Sequence, residues 1–329
     1  APLRNRYRPG SAKAAHYLDF PLPVNAQTQA NTPSSADPDM GQRRRVLASN
    51  TNVVSILRTV MSRRKPFRKQ NPGKPAHFAP ASGVSGGSFW IYGHHPVTAS
   101  LGNPRRKIRR LLATPQAAAE FLAPLPLPAG LAAERIEAVG LAGLLPAGAV
   151  HQGLAALVDP LPMTDLAELL EDIPAVSPAH LIILDQVTDP QNVGAILRSA
   201  SAFGAAGLIL TERHAAPESG VLAKAASGAL DHLPMVRVVN LARAIEAVKQ
   251  AGFWCLGLAG EGDKTLAEAK PTGRIALVLG AEGTGLRRLT REHCDQLLRL
   301  PTAGPIDQLN VSNAAAVALY ELVRDRTSR

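Results

Sequence analysis

Between residues 181 and 300 the sequence repeats one pattern: a short continuous apolar run, a turn, then a stretch with helical spacing. The runs fall at 181–187, 207–211, 234–239, 253–258, 274–279 and 297–300, and helical periods fill 192–203, 221–229, 240–251, 290–294 and 310–325. A strand with no polar alternation has both faces buried, which requires helices on each side of the sheet. Gly204 and Gly252 stand where such helices end, as residues able to take the left-handed cap conformation. The pattern predicts an α/β fold built on a parallel sheet.

Upstream the signal weakens. Residues 88–158 read as a small α/β unit, with a strand at 89–92, a turn into a helix at Gly93-His94-His95-Pro96, and a closing strand at 150–158 that contains His151-Gln152-Gly153. Residues 159–179 hold four prolines and read as a linker with one short helix. Residues 1–87 lack apolar periodicity and read as a disordered tail. Met61 opens a basic run suited to a native start, which makes 1–60 an upstream extension. An organelle leader is the competing reading of this acid-poor stretch, though its prolines spoil an amphipathic helix.

Charge is distributed unevenly. Of the 36 Lys and Arg residues, 14 lie in 1–87 beside three of the 26 acids, so the tail carries +11 and the remainder −1 of the chain's net +10. A flexible basic arm attracts polyphosphate, pointing to nucleic acid or the ribosome, although a solvated tail has the same composition. Arg105, Arg106, Lys107, Arg109 and Arg110 form a second cluster that reads either as phosphate contacts or as a solvated turn; Lys224, Arg287, Arg288 and Arg291 are further phosphate candidates. Cys255 and Cys294 are too few for a disulfide framework and too isolated for a zinc site, which fits a reducing, cytoplasmic setting and no metal. No apolar run approaches the roughly 20 residues that span a bilayer.

Ligands of open α/β sheets bind beyond the carboxyl ends of the strands, so three loops matter. In the first, 185–200, Asp189-Pro190 makes a turn, Asn192 can cap the helix, Gly194 lets another chain approach, and Arg198 either snorkels to solvent or addresses an anion. The second, Leu279-Gly280-Ala281-Glu282-Gly283-Thr284-Gly285, and an earlier one, Gly257-Leu258-Ala259-Gly260-Glu261-Gly262, bring bare backbone to a ligand, while Glu282 alone could be a surface turn residue. Neither has the spacing of a phosphate-binding or dinucleotide-binding loop, which excludes the usual NTPase and dehydrogenase motifs. In the third, 300–316, Asn310 or Ser312 can cap the final helix.

In this order the stretches 189–200, 279–286 and 309–315 resemble the SpoU (TrmH-type) class of the SPOUT methyltransferase superfamily, and 91–97 with 150–153 resemble the ends of its L30e-like RNA substrate-binding domain. The resemblance implies a methyltransferase domain over 180–329 with a deep trefoil knot, and a homodimer packed through those domains. It implies S-adenosylmethionine as cofactor, held largely by backbone at Leu258, Ala259, Gly260, Leu279, Gly280, Leu300 and Leu309. It also implies 2′-O-methylation of a ribose, a guanosine of 23S rRNA or its large-subunit precursor being the closest match. Arg198 sits at the nucleophile in this family, held by Asn192 and Glu282, with Asn310 and Ser312 shaping the same pocket. Many members carry Ser where this chain has Gln308.

A ribose hydroxyl is a poor nucleophile, so the polar residues must orient it and manage its proton. Guanidinium almost never deprotonates, which leaves two roles open for Arg198: the base itself, or a cation stabilising the alkoxide while phosphate or water takes the proton. The same chemistry on tRNA, or a non-catalytic RNA-binding assembly factor on this scaffold, are the alternatives.

Overall fold

A computed structural model describes residues 87–306 and 308–325; the readings of the tail and of Met61 lie outside the described residues. The first sheet has the order β1-β4-β2-β3, from β1 (Phe89–Tyr92), β2 (Ile108–Ala113), β3 (Ala133–Arg135) and β4 (Leu154–Val158). Both neighbours of β4 run antiparallel to it, and β3 lies parallel to β2. β4 is shorter than expected because Gln152 and Gly153 take positive φ (53° and 75°) and make a turn of the preceding residues. Three helices complete this part: α1 (His94–Gly102), a single turn α2 (Pro115–Ala117) that runs on into a π-turn, and α3 (Ala138–Gly143).

The basic run is where sequence and structure part. Ile108 to Ala113 forms a strand, with Leu111 and Leu112 facing the core and Arg109 and Arg110 exposed. Arg109 grips Asp159 (2.7 Å) and Arg110 grips Glu134 (2.7 Å). Arg106 is enclosed: its Nε donates to Asp231 Oδ1 (2.7 Å), while its Nη1 donates to the Asp159 carbonyl (3.0 Å) and reaches Glu218 (3.3 Å). Asn103 adds bonds to Asp231. The reading of this run as phosphate contacts or a solvated turn is corrected for Arg106, which finds its anions inside the protein; Arg109 and Arg110 remain at the surface in ion pairs on a strand.

The second sheet has the order β7-β6-β5-β10-β8-β11-β9, every neighbouring pair parallel, from β5 (Ala179–Asp185), β6 (Gly207–Thr211), β7 (Met235–Val238), β8 (Trp254–Leu258), β9 (Lys264–Thr265), β10 (Arg274–Gly280) and β11 (Gln296–Arg299). β5 and β6 are buried along their whole length, because alternate side chains enter separate cores. Ile182 and Leu184 join one; Leu181 and Ile183 join the other. The first core is lined by α5 (Pro190–Ala202), α6 (Gly220–Ala226) and α10 (Val311–Val323), and is continuous with Ile91, Leu111 and Leu154 of the first sheet. The second is covered by α4 (Leu166–Asp172) and α7 (Leu241–Gln250); α8 (Leu266–Ala269) and α9 (Arg288–His293) are short connectors. Strand and helix ends differ from the sequence reading by one or two residues at most positions, the ordinary uncertainty of a terminus.

Two features position the functional loops. β11 lies between β8 and β9, so the connection 259–263 between those two strands crosses its end, and Arg299 donates Nη1 to the carbonyls of Gly262 (2.8 Å) and Asp263 (2.9 Å). A Cβ at Gly262 would press on the Leu298 backbone at 2.6 Å, which is why the crossing residue is glycine. Asp185, fully buried at the end of β5, accepts from Arg287 N (3.0 Å) and Nε (2.6 Å), tying the far end of the glycine-rich loop to the sheet. Among the described residues no helix is long and apolar enough to cross a membrane.

Candidate active site

At the start of α5 the side chain of Asp189 accepts from Gln191 N, and Pro190 fills the first helical position. The cap expected of Asn192 therefore belongs to Asp189. Asn192 is instead turned inward, 7% exposed, and donates Nδ2 to Glu282 Oε1 at 2.8 Å. Gly194, two residues on, packs on α6: a Cβ there would strike Ala225 Cβ at 2.6 Å and the Leu222 carbonyl, so the close approach anticipated for this glycine is present.

Glu282 stands in the loop after β10. Gly280 has no room for a side chain because the Gly285 carbonyl and Leu286 N occupy the position a Cβ would take. Gly283 and Gly285 bend the loop at φ of 79° and 64°, and Gly285 N closes it onto the Ala281 carbonyl (2.9 Å). The third contributor is Asn310, at the N-cap of α10. Its Oδ1 accepts from Ser312 N (2.9 Å) and Ser312 Oγ (2.6 Å), while its Nδ2 donates to Glu282 Oε1 (2.6 Å) and lies 3.0 Å from Asn192 Oδ1. Three loops thus meet in one closed triangle of two carboxamides and a carboxylate, with Ser312 fixing one corner.

Beside this triangle lies a cleft of about 520 Å³, within the range of small-molecule sites. All seven expected cofactor positions, Leu258, Ala259, Gly260, Leu279, Gly280, Leu300 and Leu309, line it, together with Glu282 and Asn310. Leucine side chains supply apolar walls and the glycines expose backbone, an arrangement suited to a flat heterocycle and a sugar edge. Among the lining residues absent from the expected site are the polar ones Glu261, Thr302, Gln308 and Arg291. Glu261 and Arg291 form an ion pair, and Arg291 Nε also holds the Leu286 carbonyl (2.8 Å). Nothing local in the sequence reports this pairing, which joins the loop after β8 to α9. Among the described residues no cluster of His, Cys, Asp and Glu could hold a metal ion.

Arg198 is not part of this assembly within one chain. It is exposed on α5, does not line the cleft, and makes no hydrogen bond or ion pair among the described residues, so the expected hold by Asn192 and Glu282 is corrected: those two bond each other and Asn310. The physical reason is helical phase, since six residues place Arg198 well round the helix from inward-facing Asn192.

Comparison with known proteins bears on the same residues. The SpoU rRNA Methylase family model matches residues 179–320. The 23S rRNA (guanosine-2'-O-)-methyltransferase RlmB of Escherichia coli strain K12 is 47% identical over 180 residues, 55% of this chain and 74% of that protein. The crystal structure of the SpoU methyltransferase AviRb from Streptomyces viridochromogenes in complex with AdoMet is similar with a TM-score of 0.60 and 31% identity, covering 74% of this chain and 92% of that one. An AdoMet-bound rRNA methyltransferase from Sinorhizobium meliloti gives 0.60 and 26%, covering 74% and 89%.

Proposed function

The chain belongs to the SpoU rRNA methylase family, and on that premise we propose that it transfers a methyl group from S-adenosylmethionine to a ribose 2′-hydroxyl of 23S rRNA, at a guanosine. The observation that carries this reading is the meeting of Asn192, Glu282 and Asn310 at a cleft lined by residues 258–260 and 279–280. The site fits S-adenosylmethionine: Gly280 lets the loop fold back tightly on Gly285 and Leu286 beside the cleft, and apolar walls from Leu258, Leu279, Leu300 and Leu309 suit an adenine ring. When bound, the cofactor supplies an already activated sulfonium methyl. What remains for the protein is to hold the ribose oxygen in line and stabilise its developing charge.

In this reading the triangle positions the sugar. Glu282 Oε1 is occupied by two amide donors, which leaves Oε2 without a protein donor among the described residues and free to accept from a ribose hydroxyl. Ser312 locks the Asn310 carboxamide so that its Nδ2 faces the carboxylate. Of the two roles left open for Arg198, this reading takes the cation that stabilises the alkoxide, because a guanidinium holds its proton. Its exposure is accounted for by a homodimer: Val317, Tyr320, Ile306 and Leu309 are exposed apolar residues on and beside α10, which packs on α5, and pairing through that face brings Arg198 of one protomer to the cleft of the other. The crossing of β11 by residues 259–263 supports a trefoil knot in the C-terminal part. Division into an RNA-binding part over 88–158, a linker over 159–179 and a methyltransferase part over 180–329 is supported by the two separate sheets. A ribosomal RNA substrate supports a cytoplasmic setting.

The test is Arg198→Ala. Methyl transfer to unmodified 23S rRNA is expected to be abolished while calorimetric affinity for S-adenosylmethionine stays close to that of the unsubstituted chain; loss of both together contradicts the assigned role.

A further inference from the structure

Of the nine cations proposed from the sequence as phosphate contacts, six are paired with carboxylates: Arg106, Arg109, Arg110, Arg287, Arg288 and Arg291. Of the other three, Arg105 donates to neutral oxygens of Pro162 and Thr164 and Lys107 is exposed, whereas Lys224 on α6 is half-buried. It pairs with no carboxylate among the described residues and is held by a neutral amide, its Nζ donating to Gln152 Oε1 at 3.2 Å. The same oxygen accepts from His94 N at 3.1 Å. An ammonium has three donors, so two remain unclaimed on Lys224. The His94 and His95 rings lie 4.8 Å apart at the start of α1, His94 stacked on Phe121 at 4.2 Å. Gly93 fits here because Lys224 Nζ and Gln152 Oε1 occupy the space where a Cβ would stand, and Gln152 itself is held at φ 53° to aim its side chain.

A partly buried ammonium with no counter-anion is costly. Burial lowers the pKa of Lys224; burial and then the neighbouring His95 lower that of His94, against the pull of Glu120. A half-buried ammonium held only by the neutral Gln152 amide, where α6 meets the turn into α1, calls for an external anion. Location indicates which anion. Gly194 seats α5 on Leu222, Ala225 and Ala226, the residues flanking Lys224, so this cluster lies one helix packing, about 8–10 Å between axes, from the helix that carries Asn192.

We infer that Lys224, with His94 and His95, cradles a backbone phosphate of the RNA near the nucleotide presented to the cleft. This deepens the proposed function and rests on it. The two sequence motifs Gly93-His94-His95-Pro96 and His151-Gln152-Gly153 then have one purpose: to shape the small sheet's contribution to a site that the large sheet completes with Lys224.

The experiment is an anisotropy titration of the full chain with labelled, unmodified 23S rRNA fragments over a series of KCl concentrations. Lys224→Gln is expected to weaken binding several-fold and to reduce the slope of log affinity against log salt by about 1, with Lys224→Arg restoring both and calorimetric S-adenosylmethionine affinity unchanged. His95→Ala, an exposed position, is expected to weaken binding in the same direction without altering the thermal melt. If Lys224→Gln lowers stability but leaves RNA affinity and salt slope as they were, Lys224 is only a strut for Gln152 and the cradle is overturned. Methyl transfer by the unsubstituted chain alongside unaltered Lys224→Gln binding sinks the cradle alone, whereas absent transfer with the binding defect intact sinks the reaction alone.

Discussion

Asn310 donates its carboxamide to Glu282 at 2.6 Å, joining the N-cap of α10 to the glycine-rich loop after β10. The same side chain caps α10 through its oxygen, so one residue sets both the helix start and the carboxylate. Asn310→Ala removes both functions, whereas Asn310→Asp keeps the cap acceptor and sets a second carboxylate against Glu282. Both variants are expected to lower the methyl-transfer rate by about 10²-fold, and Asn310→Ala alone to melt earlier. Single-turnover kinetics beside thermal melts separate the two effects; equal melting of the two variants counts against a dual role.

Gly280 has no space for a methyl group against the Gly285 carbonyl and Leu286 N. In Gly280→Ala the loop must shift, at a cost of about 1–3 kcal/mol, and the cleft wall moves with it. Calorimetry is expected to show S-adenosylmethionine binding lost or weakened by more than tenfold in a chain that still folds. Gly283→Ala, where nothing lies within 4 Å but φ is 79°, isolates backbone strain from crowding and is expected to weaken binding less.

Arg106 has a fully enclosed side chain bonded to Asp231 and near Glu218. Removing one partner of a buried ion pair leaves the other charge stranded, so Arg106→Ala is expected to lower unfolding free energy by about 3–5 kcal/mol in urea titrations. A change within the scatter of surface substitutions would show that water reaches Asp231 in the folded chain.

Burial, helped by the charge of Asp295, pushes the thiols of Cys255 and Cys294 up to about 12 from an ordinary 9.0. Both are therefore protonated at neutral pH, and native protein is expected to resist alkylation that proceeds readily after denaturation. Because the folded values are raised, their contribution to stability is complete below pH 9 and is lost as pH climbs toward 12. Denaturant midpoints measured across that alkaline window are expected to fall, and less so in a Cys255→Ala, Cys294→Ala double variant.

The parallel sheet was legible because strands such as 207–211 are apolar throughout and can only be buried on both faces. The cleft lining was legible through family motifs that place bare backbone at 258–260 and 279–280. What escaped was anything set by distant partners. Arg106 reads as a surface cation until Asp231, 125 residues away, is brought to it. β3 and β9, three and two residues long, exist through pairing with β2 and β11 and carry no periodicity of their own. Arg198 was placed at the site by resemblance, but helix phase turns it outward.

The most direct measurement of the central claim is methylation in vitro: unmodified 23S rRNA incubated with the full chain and methyl-labelled S-adenosylmethionine, then digested to nucleosides and resolved by mass. The account predicts label in 2′-O-methylguanosine, at a single position. Label on a base, or none on RNA from a chain that binds the cofactor, would contradict it.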